Sequence, residues 1–179
     1  MVGRTDKAKE YIDRGLKHNG ASIENLCLRG WIELTAEPEK ALTYFEESLS
    51  MDKEFFDAML GKAKCKELTN QFSQALECVN GILVKHPNLA CIVVEKMKLE
   101  LCSQDWDRCN EVSLRALSID SQCLEAFRYQ ILELLCRDGR YNDAAEAIAN
   151  LYEKMEVNEP NSHALFYDYS KVFARVVRF

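Results

Sequence analysis

The residues from 56 to 123 contain the same arrangement of residue types twice, with a period of 34 residues. In both copies apolar and small residues recur at intervals of three and four, which is the spacing of one face of an α-helix. Corresponding pairs are Phe72 and Trp106, Ala75 and Cys109, Leu83 and Leu117, Met59 and Val93, and Ala63 and Met97. Each copy supplies two helices that cannot bury their own apolar faces, so the copies must stack and share a core.

A period of 34 residues with two helices in each copy is typical of the tetratricopeptide repeat. We therefore predict an all-α αα-superhelix, a right-handed solenoid of antiparallel helix pairs, in one segment over residues 1–179. The segment comprises the second helix of a preceding repeat at 5–19, full repeats at 22–54, 55–89, 90–123 and 124–160, and the first helix of a following repeat at 161–179. The ten predicted helices lie near 5–19, 22–35, 38–51, 55–69, 72–86, 89–103, 106–119, 123–137, 141–156 and 161–178.

Local signals place the ends of several helices. Ser22 is a suitable N-cap, and Pro38 suits the first turn of the helix that it opens. Pro87 cannot continue a helix, so the helix before it must end near His86. Cys109 and its counterpart Ala144 are 35 residues apart, so the last copy carries one inserted residue.

Small residues are expected where two helix backbones approach closely, as at Gly30 and Ala75. Large residues at the start of each second helix should fill the space between repeats; these are Phe72, Trp106 and Tyr141. An apolar row with this spacing indicates a packed core rather than a ligand site.

Composition excludes several classes of function. With 47% hydrophobic and 29% charged residues, the chain has the balance of a folded protein rather than a disordered one. A net charge of −6 with acids and bases interleaved argues against non-specific nucleic-acid binding. No apolar run approaches the roughly 20 residues of a membrane span, and the charged N-terminus has no secretory signal. We expect no nucleic acid partner and no direct membrane insertion.

The chain has eight cysteines, of which the closest two, Cys102 and Cys109, are seven positions apart. Zinc sites need tighter clusters of ligands, and a disulfide framework needs an oxidising compartment. We therefore expect reduced cysteines that serve as small, buried residues at helix contacts. No phosphate-binding glycine loop and no catalytic pair is present, so we expect no enzyme activity, no cofactor and no metal.

Several stretches are more distinctive than a repeat consensus. They are, in order, RGWIEL, ALTYFEESL, AMLGKAKCKE, ALECVNGILV, EKMKLELCSQDWD, IDSQCLEAFRYQ, CRDGRYNDA and NEPNSHALFYDYS. Together they cover essentially the whole chain, which resembles the large repeat subunit of intraflagellar transport complex A, the tetratricopeptide repeat protein 21 family. One departure is the loop TAEPEK before Ala41, which is shorter than the family leads us to expect and leaves the paralogue open.

The resemblance implies a non-enzymatic scaffold for protein–protein interactions in retrograde ciliary transport and ciliary protein trafficking. It implies other complex A subunits and ciliary cargo adaptors as partners. It also implies a location in the cytoplasm, in the cilium or flagellum and at its base, in association with the cytoskeleton.

Two other functions stay open from the residues alone. One is a generic adaptor or co-chaperone module that binds acidic peptide C-termini through bases on the first-helix face. Three residues provide such bases, Lys64, Lys98 and Arg128, although the expected asparagines are missing. We take these three as the candidate protein-binding residues. The other is the regulatory array of an enzyme whose catalytic domain lies elsewhere.

The ends of the sequence suggest a segment of a longer array, because a solenoid needs polar capping repeats. The predicted last helix carries an apolar row: Leu165, Phe166, Tyr169, Val172, Phe173, Val176 and Phe179. An uncovered surface of this kind tends to find a partner, so we expect self-association of the 179-residue chain. A domain-swapped or tightly dimeric small protein is the alternative.

Overall fold

The computed structural model describes residues 5–137 and 139–158. Within these ranges the chain forms nine α-helices and no strand. The helices are α1 (Thr5–Asn19), α2 (Ile23–Glu33), α3 (Pro38–Met51), α4 (Phe56–Leu68), α5 (Phe72–Lys85), α6 (Ala90–Cys102), α7 (Trp106–Ile119), α8 (Leu124–Cys136) and α9 (Tyr141–Asn158). Each matches a predicted helix to within two residues at either end. The predicted helix at 161–178 and its apolar row lie outside the described residues.

The chain divides into two compact units, Met1–Pro87 and Asn88–Phe179. The first contains α1 to α5, and the second contains α6 to α9. The division falls at Pro87, where α5 has already ended because proline lacks the N–H that a continuing helix needs. No helix in the described part of the chain is long and apolar enough to cross a membrane.

In the first unit each helix packs against the next one along the chain, and α2 also contacts α4. The core combines small residues with one large ring, and its buried members are Cys27, Leu34, Ala41, Phe45, Ala58 and Cys65. Trp31 meets Phe45 edge to face, with ring centroids 5.4 Å apart. Because α2 and α4 both contact α3 and each other, the helices form stacked pairs rather than a closed bundle.

In the second unit α6 packs against α7, α7 against α8, and α8 against α9. Ala116, Ala126 and Ala144 are fully buried, as expected where helix backbones approach. The apolar cluster between α8 and α9 consists of Ile131, Ile148, Leu151 and Met155. Phe72 and Trp106 are half-buried, but the prediction that Tyr141 fills the space between repeats is wrong, because Tyr141 is 47% exposed.

The turns between paired helices repeat the sequence period in their backbone geometry. Asn70, Gln104 and Gly139 all have positive φ, at 58°, 60° and 61°. In the first two turns the next residue donates its N–H to a carbonyl five positions back, at Lys66 and Glu100 respectively. This is the Schellman closure of a helix C-terminus. In the third turn Arg140 donates to Leu134, six positions back, so the inserted residue lies in the turn between α8 and α9.

Candidate protein-binding surfaces

The three predicted binding residues lie on first helices of the pairs. Lys64 is on α4 in the first unit, whereas Lys98 on α6 and Arg128 on α8 belong to the second. All three side chains are half-buried. Lys64 Nζ donates to Glu67 Oε2 at 3.1 Å, and Arg128 Nη1 donates to Glu125 Oε1 at 2.6 Å.

Lys64 and Arg128 therefore each contact an acid of their own helix, three positions away. Lys98 likewise interacts with neighbouring groups. A clamp for a peptide carboxylate needs cations that converge on one point, and paired cations have part of their charge already neutralised. The co-chaperone alternative thus gains no geometric support from these contacts.

A cleft of about 530 Å³ lies where the first turns of α6 and α8 meet the loop between α7 and α8. The described residues that line it are Ala90, Cys91, Val94, Glu95, Asp120, Gln122, Cys123, Leu124 and Glu125. The lining combines apolar residues, which include Val94 and Leu124, with three carboxylates, and no lysine or arginine is among its described members. We call this feature the acidic cleft.

Tyr129 lies next to this cleft on α8. Burial raises the pKa of its phenol above the ordinary value, and the carboxylates of Glu125 and Glu95 raise it further. Arg128 acts in the opposite direction but does not cancel these effects.

A larger cleft of about 760 Å³ lies between α8 and α9. Its lining includes the apolar residues Phe127, Ile131 and Leu151, and its charged members are Glu153 and Lys154. The Lys154 ammonium lies 4.4 Å from the centroid of the Phe127 ring, as in a cation–π contact. With one acid and one base in its described lining, this cleft has no net charge with which to select a partner.

A buried charge network in the first unit was not predicted from the sequence. Glu33 is 1% exposed and accepts a hydrogen bond from Lys9 at 2.8 Å. Arg29 Nη2 lies 2.9 Å and Lys40 Nζ 3.8 Å from its other oxygen. The Lys9 hydrogen bond, together with the charges of Arg29 and Lys40, holds the pKa of Glu33 below its ordinary value. The network links α1, α2 and α3.

The eight cysteines fall into three groups by exposure, and Cys78 alone is half-buried. Cys27, Cys65, Cys109 and Cys123 are buried, and burial raises the pKa of the first three to about 11. These agree with the prediction of small core residues. For Cys91, Cys102 and Cys136 that prediction is wrong, since all three thiols are exposed on helix surfaces. Within the part of the chain that the structure describes, no three histidine, cysteine or acidic side chains come together as a metal site.

Solved tetratricopeptide-repeat proteins share this fold. The chain superposes on a thermophilic TPR protein from Thermus thermophilus with a TM-score of 0.74, over 99% of this chain and 93% of that one. Sequence identity is 17%, so the likeness concerns the fold alone. The predicted all-α tetratricopeptide-repeat fold class is confirmed. Repeat arrays of this kind present extended surfaces to other proteins, which makes the chain a tetratricopeptide-repeat interaction scaffold.

Sequence relatives are closer. The chain is 42% identical to human tetratricopeptide repeat protein 21B over 97% of its own length, and 33% identical to human tetratricopeptide repeat protein 21A over 92%. It spans 13% of the length of each of these relatives. Residues 1–110 match the family model described as the tetratricopeptide repeat protein 21 N-terminal ARM repeat. The chain therefore belongs to the tetratricopeptide repeat protein 21 family.

Proposed function

We propose that this chain is a non-enzymatic segment of an intraflagellar transport complex A subunit, acting in retrograde ciliary transport and ciliary protein trafficking. The observation that carries the proposal is the 42% identity to tetratricopeptide repeat protein 21B over 97% of the chain. Its partners are other complex A subunits and ciliary cargo adaptors. Its place is the cytoplasm, the cilium and the ciliary base.

The physical basis of the proposed function is the surface that stacked helix pairs offer to other proteins. Buried alanines and the contact between the Trp31 and Phe45 rings pack the helices against one another. The residues of the first helices that this packing does not bury form the surface for contacts with partners. The proposed contacts include Lys64, Lys98 and Arg128, which combine a half-buried stem with a polar end. The division into repeats at 22–54, 55–89, 90–123 and 124–160 within one solenoid segment is part of the same proposal.

Affinity capture from ciliated cells tests the function. The tagged 179-residue chain should retain complex A subunits, identified by mass spectrometry, and it should localise to the ciliary base. Capture of chaperone C-termini without complex A subunits would instead support the co-chaperone alternative and overturn the proposal.

A matched pair of triple variants tests the three residues. Lys64→Ala, Lys98→Ala and Arg128→Ala together should reduce capture of complex A subunits. The control combines Lys17→Ala, Lys53→Ala and Arg108→Ala, which removes the same residue types from exposed positions. Equal loss of capture in both variants would mean that net charge, rather than these positions, determines binding.

A further inference from the structure

Helix α1 packs against the first unit without burying any of its described side chains. Ala8 and Ile12, which belong to its apolar row, are only half-buried. The residues that lie 33 positions later in α3, Ala41 and Phe45, are fully buried. Because apolar burial supplies most of the free energy with which helices pack together, α1 is held less firmly than α3.

The charged contacts between α1 and α2 are of unequal quality. Lys9 donates to Glu33 at 2.8 Å, which is a well-formed hydrogen bond. Asp13 Oδ1 lies 3.5 Å from Arg29 Nη1 and forms only an ion pair. Tyr44, Asp13 and Glu33 stabilise the Arg29 charge, yet its buried Nε and Nη1 have no acceptor in hydrogen-bond geometry among the described residues. Docked α1 therefore leaves two buried donors unsatisfied, which is unfavourable.

Release of α1 would remove only one of the cations that surround Glu33. Arg29 Nη2 on α2, at 2.9 Å, and Lys40 Nζ on α3, at 3.8 Å, belong to helices that stay in place. The carboxylate is thus not left as an uncompensated buried charge, which would cost far more than the loss of a single hydrogen bond.

The connection between α1 and α2 permits this movement. Gly20 has a φ of 74°, and an added Cβ there would meet nothing within 4 Å. The backbone at this glycine can therefore change its dihedral angles without a clash. The start of α2 does not depend on α1, because Ser22 Oγ accepts a hydrogen bond from the Asn25 N–H at 3.2 Å and caps the helix.

We propose that α1 is a releasable helix, which undocks from α2 as a unit about Gly20 while α2 to α5 stay folded. Release uncovers Arg29 and Glu33, so the docked and released states present different surfaces of α2 to a partner protein. The proposal concerns a conformational device of the first unit, and it holds or fails whatever the chain binds.

Hydrogen–deuterium exchange of the 179-residue chain, followed by mass spectrometry of its peptides, tests the proposal. A released helix of 15 residues is only marginally stable in water, so its amides lose protection when it undocks. The central amides of α1 should exchange at least about tenfold faster than those of α2 and α3. In Lys9→Met, which removes the hydrogen bond to Glu33, exchange of α1 should accelerate by about a further tenfold.

The control is Lys17→Met, which makes the same change at an exposed position of α1. Its α1 amides should exchange within about twofold of the parent rate. Parent α1 amides that exchange no faster than those of α2 would overturn the proposal, since α1 would then open only with the whole unit. Equal acceleration in the two variants would also overturn it. Amides of α4 and α5 are the internal reference, and their acceleration in Lys9→Met would mean global unfolding rather than release of α1.

Discussion

The ring of Phe45 on α3 occupies the position that a Cβ atom on Gly61 of α4 would take. The same ring faces Gly30 on α2, where an added Cβ would lie 2.7 Å from Cε1. Phe45 itself is fully buried. One aromatic ring thus lies between two glycines of neighbouring first helices, and its fit depends on the absence of both side chains.

Gly61→Ala should lower stability by about 1–3 kcal/mol, because the added methyl group overlaps a ring that is enclosed on every side. Urea denaturation of the parent and variant chains measures the difference. The matched control is Gly81→Ala in α5, where an added Cβ would meet nothing within 4 Å. The free energy of unfolding of the control should rise by about 0.5–1 kcal/mol, because alanine loses less backbone entropy than glycine when the helix folds. Similar effects of the two changes would contradict the described packing of Phe45.

Glu33→Gln should destabilise the first unit by about 3 kcal/mol. The substitution removes the buried negative charge that compensates the cations of Arg29, Lys9 and Lys40. Glu10→Gln is the control, since Glu10 pairs with Arg14 in an exposed position on α1. An exposed pair contributes at most about 1 kcal/mol, so the control should unfold close to the parent. Equal losses at the two positions would show that the Glu33 network is not buried in solution.

The same carboxylate makes stability depend on pH in a defined direction. Its hydrogen bond from Lys9, with Arg29 and Lys40 nearby, lowers its pKa in the folded state. A group with a lowered pKa contributes stability above its unfolded pKa, and this contribution is lost as pH falls through the folded value. Acidification from pH 7 to below about 4 should therefore destabilise the parent chain more than Glu33→Gln. Denaturation curves at both pH values check this, and identical pH dependence in the two proteins would refute it.

The helices could be predicted because their information is local. Periodic apolar residues and breaks such as Pro87 fix where a helix begins and ends, whatever surrounds it. The buried position of Ala75 also follows, since a repeat places equivalent residues in equivalent surroundings. The location of the inserted residue did not follow from spacing alone. It required the hydrogen bond from Arg140 to Leu134.

What could not be predicted depends on contacts between helices that are distant in sequence. Lys9 and Glu33 are 24 positions apart, and nothing in either segment marks them as partners. Likewise the acidic cleft brings Glu95 and Glu125 together from two different helices. The exposure of Cys91 depends on the side of α6 on which it lies. The repeat pattern did not determine that side, because cysteine is accepted both in a core and on a surface.

Cysteine labelling should follow exposure. In the native chain at pH 8, iodoacetamide should modify Cys91, Cys102 and Cys136 first, because these three thiols are exposed. Cys27, Cys65 and Cys109 should resist, since burial raises the pKa of each to about 11 and leaves little reactive thiolate. Peptide mass spectrometry over time gives the order, and all eight cysteines should react once urea unfolds the chain. Rapid native labelling of Cys109 would contradict its placement in the core.

Gln104→Gly should stabilise the second unit, although it removes a side chain. Gln104 has a φ of 60° at the end of α6, a conformation that costs an L-residue roughly 1–2 kcal/mol. Glycine adopts it without strain but loses about 0.5–1 kcal/mol more backbone entropy on folding, so the net gain should be about 0.5 kcal/mol. Asn70→Gly in the equivalent turn should gain less free energy of unfolding, because asparagine tolerates this conformation better than glutamine.

The control is Gln74→Gly within α5. It should lose about 0.5–1 kcal/mol of free energy of unfolding, because the backbone at Gln74 is helical. Urea denaturation ranks the three variants. A loss of stability at Gln104 as large as that at Gln74 would mean that the turn between α6 and α7 does not close as the turn after α4 does.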